Sequence, residues 1–550
     1  VEVPTLDDWE MGGLIVKAQK GLLDFSDLFT QQQEGRTILS KLIFIVSAAA
    51  RGHWDVRDQM MISVISCWLT AAGLFFMLYR GSRLSLIALA TCFWLSVLTI
   101  FTPAQFELWL LASGFPSFLP ALFIVTSLVA VQANLSTLGK FLICALLSTA
   151  SSFTLPHGLL AWGLTFPVLL VTHRLRRWPV WLAMWLVTCA LCTGAYFWGY
   201  HKPEYLPQFA PQLAKLEYVR FVLIFLGGGL AYSWHSHPAA AAMMFGALQI
   251  ALLFLVLAYT VMRLNNHAFI CRTAPWFALA AYSIGSAFLA ALGRVEYGAS
   301  YALASRYVTF SLYLTVALIV LSAVIASEAG GRPGPPFSRR WLWASCAVLF
   351  VSYLIPYKLS ATNTLYFLRG YSAKDRLARG AILFSGVIDT SEVISQVVYP
   401  VEADRVIRTA ADLDALKLIR PRLARTTNLH SLPHADADGR RVEGACESTE
   451  PSPSKLRRAV GWAALKDKRR QADCVVLAYE LPSEEPVLFA MSNTVEARPD
   501  IARRLRNDDQ LWTGWTATYS ERAVPTGAKV SFWAVDADGP KFYRLSDSSR

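Results

Sequence analysis

Long apolar segments, repeated through the first two-thirds of the chain, constrain this sequence more than any other feature. A helix needs about 20 apolar residues to cross the hydrocarbon core of a bilayer, and many of these segments approach that length. Of the 550 residues, 54% are hydrophobic and only 16% are charged, which is too apolar for a water-soluble domain. The sequence therefore predicts a polytopic α-helical membrane protein.

The predicted spans number about ten. In chain order they cover residues 60–79, 84–101, 118–131, 138–151, 155–171, 180–197, 239–261, 276–292, 308–325 and 341–355. Basic turns at 80–83 and 173–177 follow the first and fifth spans, and Lys and Arg are enriched in cytoplasmic loops. We therefore place both turns in the cytoplasm, and the acidic residues before the first span outside.

The segment 221–234 has two interpretations, because Gly227-Gly228-Gly229 lie in its middle. If it crosses the membrane, the basic loops 263–272 and 332–340 lie outside and the C-terminal part lies in the cytoplasm. If it is re-entrant or interfacial, both loops lie inside and the C-terminal part is external. Charge asymmetry favours the second interpretation, and glycine-interrupted segments are tolerated where they line a cavity.

The two ends of the chain are polar. Residues 38–50 are apolar but too short to span, which favours an interfacial helix, so residues 1–58 are predicted to be an external acidic loop with interfacial helices. No apolar segment precedes Asp7, which predicts that there is no signal peptide and leaves open whether a first helix is missing. The transmembrane domain covers 59–357, and a mixed linker and helical region covers 358–440.

The C-terminal residues 441–550 predict an external soluble β-sandwich-like domain. Alternating apolar and polar residues, with turn residues between the runs, predict strands at 459–464, 474–479, 487–491, 512–519 and 530–535. If this domain is outside the cytosol, Cys446 and Cys474 have the chance to form a disulfide. Trp462 and Trp515 could stack on a sugar ring, but their strand pattern favours core positions.

Ionisable residues on the predicted external face are the candidates for chemistry. Carboxylates can act as general bases and guanidinium groups bind anions. The candidates are Asp7, Asp8, Glu10, Glu34, Arg36, Arg294, Arg306 and Tyr307. Further polar residues predicted on the same face are Lys202, Glu204, Glu217, Arg220, Glu296 and Tyr301. The acidic stretch has the alternative interpretation of a solvated loop, and Arg306 and Arg36 could instead be helix-end or surface cations.

Three histidines, His157, His235 and His237, are weaker candidates for a functional site. His157 follows a proline at a predicted helix start, where it is either structural or part of the polar cavity. His235 and His237 form an HxH pattern without a third nearby ligand, so the sequence predicts no metal site.

Four short motifs resemble bacterial membrane proteins of the GT-C glycosyltransferase type, over roughly residues 1–360. They are Asp7-Asp8-Trp9-Glu10, Leu28-Phe29, Gln33-Glu34-Gly35-Arg36 and Ala304-Ser305-Arg306-Tyr307. Related sequences carry Asn-Glu-His-Arg where this chain has Gln-Glu-Gly-Arg, so any role of that imidazole has no counterpart here. The C-terminal part, with Val460-Gly461-Trp462-Ala463 and Gly514-Trp515, resembles the sandwich domains attached to such proteins.

The resemblance implies an inverting enzyme of the bacterial inner membrane that takes a sugar from a polyprenyl-phosphate donor at the outer face. The acceptor would be an envelope glycan or a lipid, and membrane lipids would be further partners. In that family an acidic residue of the first external loop acts as the catalytic base or orients the acceptor, and this residue maps onto Asp7 or Asp8. Arg36 and Arg306 would bind the donor phosphate, with Glu10, Glu34, Arg294 and Tyr307 supporting them.

Other classes remain open at this point. A transporter or flippase would fit a helix broken at Gly227–Gly229, although such folds tend to carry two interrupted segments and only one is found here. A non-catalytic envelope scaffold would not need Asp7 and Asp8. The chain has a net charge of +12. In a membrane protein such an excess usually comes from Lys and Arg in cytoplasmic loops, so no nucleic-acid partner is predicted. The sequence identifies no cofactor and leaves open a divalent cation, Mg or Mn.

Overall fold

The computed structural model describes residues 3–173, 178–203, 215–231, 236–330, 336–400, 402–432, 441–482 and 484–547. The chain forms two compact units. One, which we call the helical unit, consists of Asp24–Leu42 and Met60–Leu365. The other, the mixed unit, combines Val1–Leu23, Ile43–Gln59 and Tyr366–Arg550.

Within the described residues the structure has 18 α-helices. They are α1 Asp8–Gln19, α2 Phe25–Phe29, α3 Ile38–Arg51, α4 Val56–Gly81, α5 Leu86–Ile100, α6 Phe106–Leu110, α7 Leu119–Gln132, α8 Thr137–Ser152, α9 Leu160–His173, α10 Trp178–Phe197, α11 Lys215–Ala231, α12 Pro238–Val261, α13 His267–Arg294, α14 Ser305–Gly330, α15 Pro336–Phe384, α16 Ser391–Val397, α17 Ala403–Ala415 and α18 Pro499–Leu505.

Seven helical segments of the described chain are long and apolar enough to cross a membrane. They are Val56–Gly81, Leu86–Leu110, Ala112–Gln132, Trp178–Phe197, Pro238–Val261, His267–Tyr297 and Ser305–Glu328. The prediction of a multi-pass helical membrane protein is therefore confirmed in its general form. Helix α8 is apolar but shorter, and the predicted number of ten spans stays a prediction.

Burial distinguishes central helices from peripheral ones in the helical unit. In the segments that contain α7 and α14, 78% of the most apolar stretch of 18 residues is buried inside the protein. The corresponding share is 17% for α10 and 22% for α12. A helix that is apolar on all sides but mostly unburied is suited to face lipid. Residues such as Leu74, Leu128, Leu279 and Leu314 are fully buried between the helices.

Helix α11 is continuous through the three glycines that the sequence suggested as an interruption. A Cβ atom on Gly227 would lie 1.9 Å from the carbonyl oxygen of Ala242, and one on Gly246 would lie 2.0 Å from that of Leu223. The glycines therefore let the backbones of α11 and α12 approach closely.

The residues predicted to form an acidic loop begin with a packed helix in the mixed unit. On α1, Trp9 is 1% exposed and stands edge-on to Trp54, with ring centroids 6.1 Å apart. The Lys20 amine contacts the carboxylate of Asp412 on α17 at 3.1 Å. Met11 and Ile15 are buried on the same helix, so α1 has an apolar face. The acidic residues of this stretch suggested a loop because they drew attention away from these apolar positions.

Ten strands form two sheets in the described part of the mixed unit. The strands are β1 Val442–Ser452, β2 Leu456–Leu465, β3 Arg470–Gln471, β4 Cys474–Glu480, β5 Val487–Met491, β6 Thr494–Glu496, β7 Gly514–Ser520, β8 Lys529–Asp536, β9 Lys541–Arg544 and β10 Ser546–Asp547. One sheet has the order β10-β1-β2-β7-β6, with β3 paired to β2, and the other has the order β5-β4-β8-β9. All pairs are antiparallel except β1 with β10. The predicted C-terminal antiparallel sheet domain is thus confirmed.

The two sheets share one core. Trp515 from the first sheet is 3% exposed and packs on Phe532 of the second, with ring centroids 5.6 Å apart. Trp462 is 5% exposed, so both tryptophans occupy core positions. Cys474 has a free, buried thiol, so the disulfide with Cys446 that the sequence left open is not formed.

Helix α15 extends well beyond the predicted end of the membrane domain. It continues through Pro356 to Phe384. In the mixed unit its last turns lie against β4, where a Cβ atom on Gly380 would come within 2.4 Å of the Cys474 sulfur. The first part of the region predicted as mixed linker and helix is therefore a helix that packs against a sheet.

Candidate functional site

The connection between α13 and α14 carries a cluster of polar side chains in the helical unit. Helix α13 ends at Arg294, two short 3₁₀ turns follow, and α14 begins at Ser305. Gly298 has a φ of +93°, which favours glycine and permits the change of direction between the turns. The buried Ser305 hydroxyl donates to the carbonyl of Ala104 at 2.8 Å, which holds the start of α14 beside the segment before α6.

Glu34 and Arg294 form a bidentate ion pair. Both terminal nitrogens of the guanidinium donate to the carboxylate, and the Nη1–Oε2 distance is 3.0 Å. The two side chains are 22–23% exposed, so the pair is partly screened from solvent. A tight turn presents Glu34, since the backbones of Gln32 and Gly35 exchange hydrogen bonds of 2.8 and 3.0 Å. Glu34 thus pairs with a residue of α13 and not with its neighbour Arg36.

The Arg36 guanidinium is occupied by backbone carbonyls. It donates to the carbonyl oxygens of Phe29, Tyr196 and Trp198, with an Nε–oxygen distance of 2.6 Å at Tyr196. It also lies over the Phe29 ring, with its central carbon 4.3 Å from the ring centroid. Because Arg36 is only 4% exposed, its observed contacts hold the chain around Phe29 against the end of α10. Its predicted role in donor binding stays a prediction.

Arg306 is the most accessible arginine of this cluster. Its side chain is 41% exposed, and its Nη1 lies 3.6 Å from the Glu107 carboxylate. Another terminal nitrogen donates to the Tyr301 hydroxyl. The guanidinium carbon lies 5.2 Å and 5.4 Å from the ring centroids of Tyr301 and Tyr307, within the range of cation–π attraction. A guanidinium held by two aromatic rings but open to solvent is suited to bind an anion.

His157 lies near the same cluster. Its ring stacks on Phe310, with centroids 4.1 Å apart, and neither ring nitrogen has a hydrogen-bond partner. The positive charge of Arg294 acts on this imidazole. Buried ring nitrogens without hydrogen bonds are uncommon in folded proteins, so His157 is a functional candidate of the helical unit.

The predicted carboxylates Asp7, Asp8 and Glu10 belong to the mixed unit. Asp8 is 1% exposed, and its carboxylate accepts a 3.0 Å hydrogen bond from the Thr5 backbone, which closes the first turn of α1. Asp7 and Glu10 are half-buried. The pKa of Tyr399 is raised, first by burial and then by the negative charges of Glu10 and Asp7. These two carboxylates therefore act together on one tyrosine, and Asp8 has a visible structural role.

The structure brings together five of the predicted residues in the helical unit, which are Glu34, Arg294, Tyr301, Arg306 and Tyr307. It adds Glu107, which sequence reasoning missed. Glu107 is the only charged residue between positions 84 and 131, and an isolated carboxylate in an apolar stretch is a functional signal. We call Glu34, Glu107, Arg294, Tyr301, Arg306 and Tyr307 the arginine–tyrosine cluster.

The described residues contain no group of three His, Cys, Asp or Glu side chains placed to hold a metal ion. His237 stands just before α12, whereas its HxH partner His235 lies outside the described residues. Glu204, four residues of the basic turn 173–177 and residues 331–335 of the second basic loop also lie outside them.

Comparisons of this chain with protein-family models, with curated proteins and with solved structures found no significant match.

Proposed function

We propose that this protein is an inverting membrane glycosyltransferase that uses a polyprenyl-phosphate sugar donor. It would act at the outer face of the bacterial inner membrane, with an envelope glycan or lipid as acceptor. The observation that carries the proposal is the arginine–tyrosine cluster, in which two guanidinium groups and two carboxylates meet beside two tyrosines at the ends of apolar helices. The family resemblance of the sequence motifs supplies the reaction type.

Arg306 is the best candidate for the donor phosphate. When the bond between sugar and phosphate breaks, negative charge develops on the departing lipid phosphate, and a guanidinium can stabilise that charge with two parallel hydrogen bonds. Arg306 is accessible, whereas Arg36 already donates to three carbonyls. The 3.6 Å contact between Glu107 and Arg306 would have to break when a phosphate binds to Arg306.

The reaction also needs a carboxylate that accepts the proton of the attacking hydroxyl. The resemblance assigns this role to Asp7 or Asp8, and the half-buried Asp7 is the more accessible of the two. Glu34 is the alternative within the helical unit, although its carboxylate is already occupied by the ion pair with Arg294. The C-terminal domain would lie on the external side, as the charge asymmetry of the loops favours.

The transporter alternative is less well supported. Its main sequence argument was a helix broken at Gly227–Gly229, and α11 is a continuous helix there. The same glycines have a packing role against α12.

The test is transfer of radiolabelled sugar from a panel of polyprenyl-phosphate donors to envelope acceptors, with the full chain in proteoliposomes. Arg306→Ala should lower the transfer rate by about 100-fold or more, the usual cost of removing one group that stabilises developing charge. The matched control is Arg272→Ala, which removes the partly buried ion pair with Glu328 at the other end of the α13–α14 pair. This control should retain transfer.

Equal transfer by Arg306→Ala and the parent would reject the phosphate role, and no transfer by the parent with any donor would reject the function. An Asp7→Asn, Asp8→Asn double variant tests the base, and its full activity would move that role to another carboxylate such as Glu34. Repeating the parent reaction with a chelator tests the need for Mg or Mn.

A further inference from the structure

A polar cavity of about 140 Å³ lies in the mixed unit, within its described residues. Helix α15 forms one wall, and the start of β4 and the turn between β8 and β9 contribute to the others. The lining residues are Ser372, Asp375, Arg376, Arg379, Arg470, Asp473 and Asp538. None of the functional candidates discussed above lines this cavity.

A network of ion pairs fixes the walls of the cavity. Arg470 contacts the carboxylates of Asp473, Asp536 and Asp538 at 3.0 to 3.1 Å. Lys468 reaches Asp536 at 2.8 Å, and Arg379 pairs with Asp538. These partners leave the side chains of Arg379, Arg470, Asp473 and Asp538 little rotational freedom, so this side of the cavity has a defined arrangement of donors and acceptors.

The network leaves buried hydrogen-bonding capacity unused. The Asp473 side chain is fully buried, and its Oδ2 accepts from Arg470 and from the backbone of Ala537. Its Oδ1 has no hydrogen-bond partner, and the nearest Arg376 nitrogen is 3.7 Å away, too far for a hydrogen bond. The Nε of Arg376 has no partner either. An unused acceptor and an unused donor at one cavity are costly unless something else bonds to them.

The charges and the volume define the ligand that would fit. Three arginines and three aspartates line the cavity, so their formal charges cancel and neither a free anion nor a free cation is favoured. A hydroxyl group can donate to Asp473 and accept from Arg376 at the same time. Since one water needs about 10–15 Å³ of such volume, the cavity has room for a ligand of roughly ten heavy atoms.

We propose that this cavity binds one neutral sugar residue through its hydroxyl groups. A glycan unit held there would give the mixed unit a carbohydrate-binding role of its own. This inference does not depend on the proposed glycosyl transfer, because it rests on the cavity, its balanced charge and the unused polar atoms of Asp473 and Arg376.

The experiment is equilibrium dialysis of the full chain in lipid nanodiscs against radiolabelled glucose, galactose, mannose and N-acetylglucosamine. Inorganic phosphate and Ca²⁺ serve as separate probes. We expect saturable binding of at least one of these sugars at one site per chain, and no saturable binding of phosphate or Ca²⁺ at this site. Asp473→Asn should weaken sugar binding at least tenfold because the carboxylate acceptor becomes an amide.

Ser372→Phe is the second variant, because it fills the cavity and leaves every charge of the network in place. It should abolish binding without lowering the thermal midpoint, and it decides the question if Asp473→Asn does not fold. Asp467→Asn is the matched control, because the Asp467 carboxylate lies on the exposed turn between β2 and β3, away from the cavity lining. This variant should bind sugar like the parent. Arg306→Ala should also bind like the parent, which separates this site from the proposed transferase site.

Three results would overturn the inference. They are the absence of saturable binding for all four sugars, sugar binding that survives Ser372→Phe, and binding of phosphate or Ca²⁺ that Ser372→Phe removes.

Discussion

At the scale of single residues, Asp414 shows how one carboxylate organises a stretch without regular structure. It lies at the end of α17, and its side chain is 10% exposed. It accepts from the backbone of Leu423 at 3.3 Å and from Arg425 at 3.4 Å, and Arg422 pairs with it through two nitrogens. Burial raises the pKa of Asp414, but the contacts with Arg422 and Leu423 outweigh burial and hold this pKa below its usual value of 3.8.

A depressed carboxylate pKa gives the stability contributed by Asp414 a definite pH dependence. The contribution is present above the usual value of 3.8 and is lost as the pH falls through the lower pKa of the folded state. Asp414→Asn should therefore destabilise the protein at pH 7 by about 1 kcal/mol, a value reduced by solvent screening of the arginines. The difference in thermal midpoint between variant and parent should shrink as the pH is lowered towards 3.

The control for this prediction is Asp412→Asn on the same helix. Its ion pair with Lys20 is exposed on both sides, so this variant should change the midpoint little. A midpoint difference for Asp414→Asn that stays constant from pH 7 to pH 3 would contradict the assigned electrostatic role.

The arginines show how far residue-level prediction from the sequence could go. The sequence singled out Glu34, Arg36, Arg294 and Arg306 as candidates because they are ionisable residues next to apolar segments. It could not assign their partners, because Glu34 pairs with Arg294 across 260 positions and Arg36 bonds to carbonyls some 160 positions away. Every residue has a backbone carbonyl, so the sequence does not show which carbonyls an arginine contacts. From the sequence alone, an arginine with a structural role therefore looks the same as one that binds a ligand.

At the scale of elements, the glycines of α11 and α12 provide a sharp test of helix packing. Gly227→Ala should destabilise the helical unit by about 3 kcal/mol, the upper end of the usual cost of overpacking, because the new Cβ meets a backbone oxygen that cannot rotate away. Gly228→Ala is the matched control, since no atom lies within 4 Å of its Cβ position. Alanine there should be neutral or stabilise α11 by up to about 1 kcal/mol through helix propensity.

The measurement is the unfolding midpoint of both variants and the parent in the same detergent. Equal midpoints for Gly227→Ala and Gly228→Ala would show that α11 and α12 do not pack through these glycines.

Elements whose pattern is local were predictable, and elements that depend on distant contacts were not. Strands β2, β4, β5, β7 and β8 match their predicted positions because alternation of apolar residues is a local signal. The sequence predicted a mixed linker and helical region after residue 357, but not that one helix, α15, continues into it as far as Phe384. The last turns of α15 pack against β4, and this distant contact has no local signal in the sequence. The glycines of α11 suggested an interruption because sequence alone does not show which helix packs on them.

At the scale of the whole molecule, the sequence predicted a helical membrane part and a C-terminal sheet domain. It did not predict which segments of the chain belong to each of the two compact units. The mixed unit combines residues 1–23, 43–59 and 366–550. Its N-terminal helix α1 packs on α17 through pairs such as Lys20 and Asp412, which are 392 positions apart. Such non-local pairing has no periodic signal in the sequence, so a division into consecutive domains could not anticipate it.

The orientation of the chain in the membrane gives the last prediction. The loop charges favour a cytoplasmic turn at 80–83 and an external C-terminal domain, which requires that α11 does not cross the membrane fully. Arg80→Cys and Lys541→Cys place single thiols at two exposed cationic positions for labelling with a membrane-impermeant maleimide. In intact spheroplasts Lys541→Cys should be labelled and Arg80→Cys should react only after permeabilisation, with the parent chain as the background for native thiols. Protection of both positions until permeabilisation would place the C-terminal domain in the cytoplasm and would favour α11 as a full crossing.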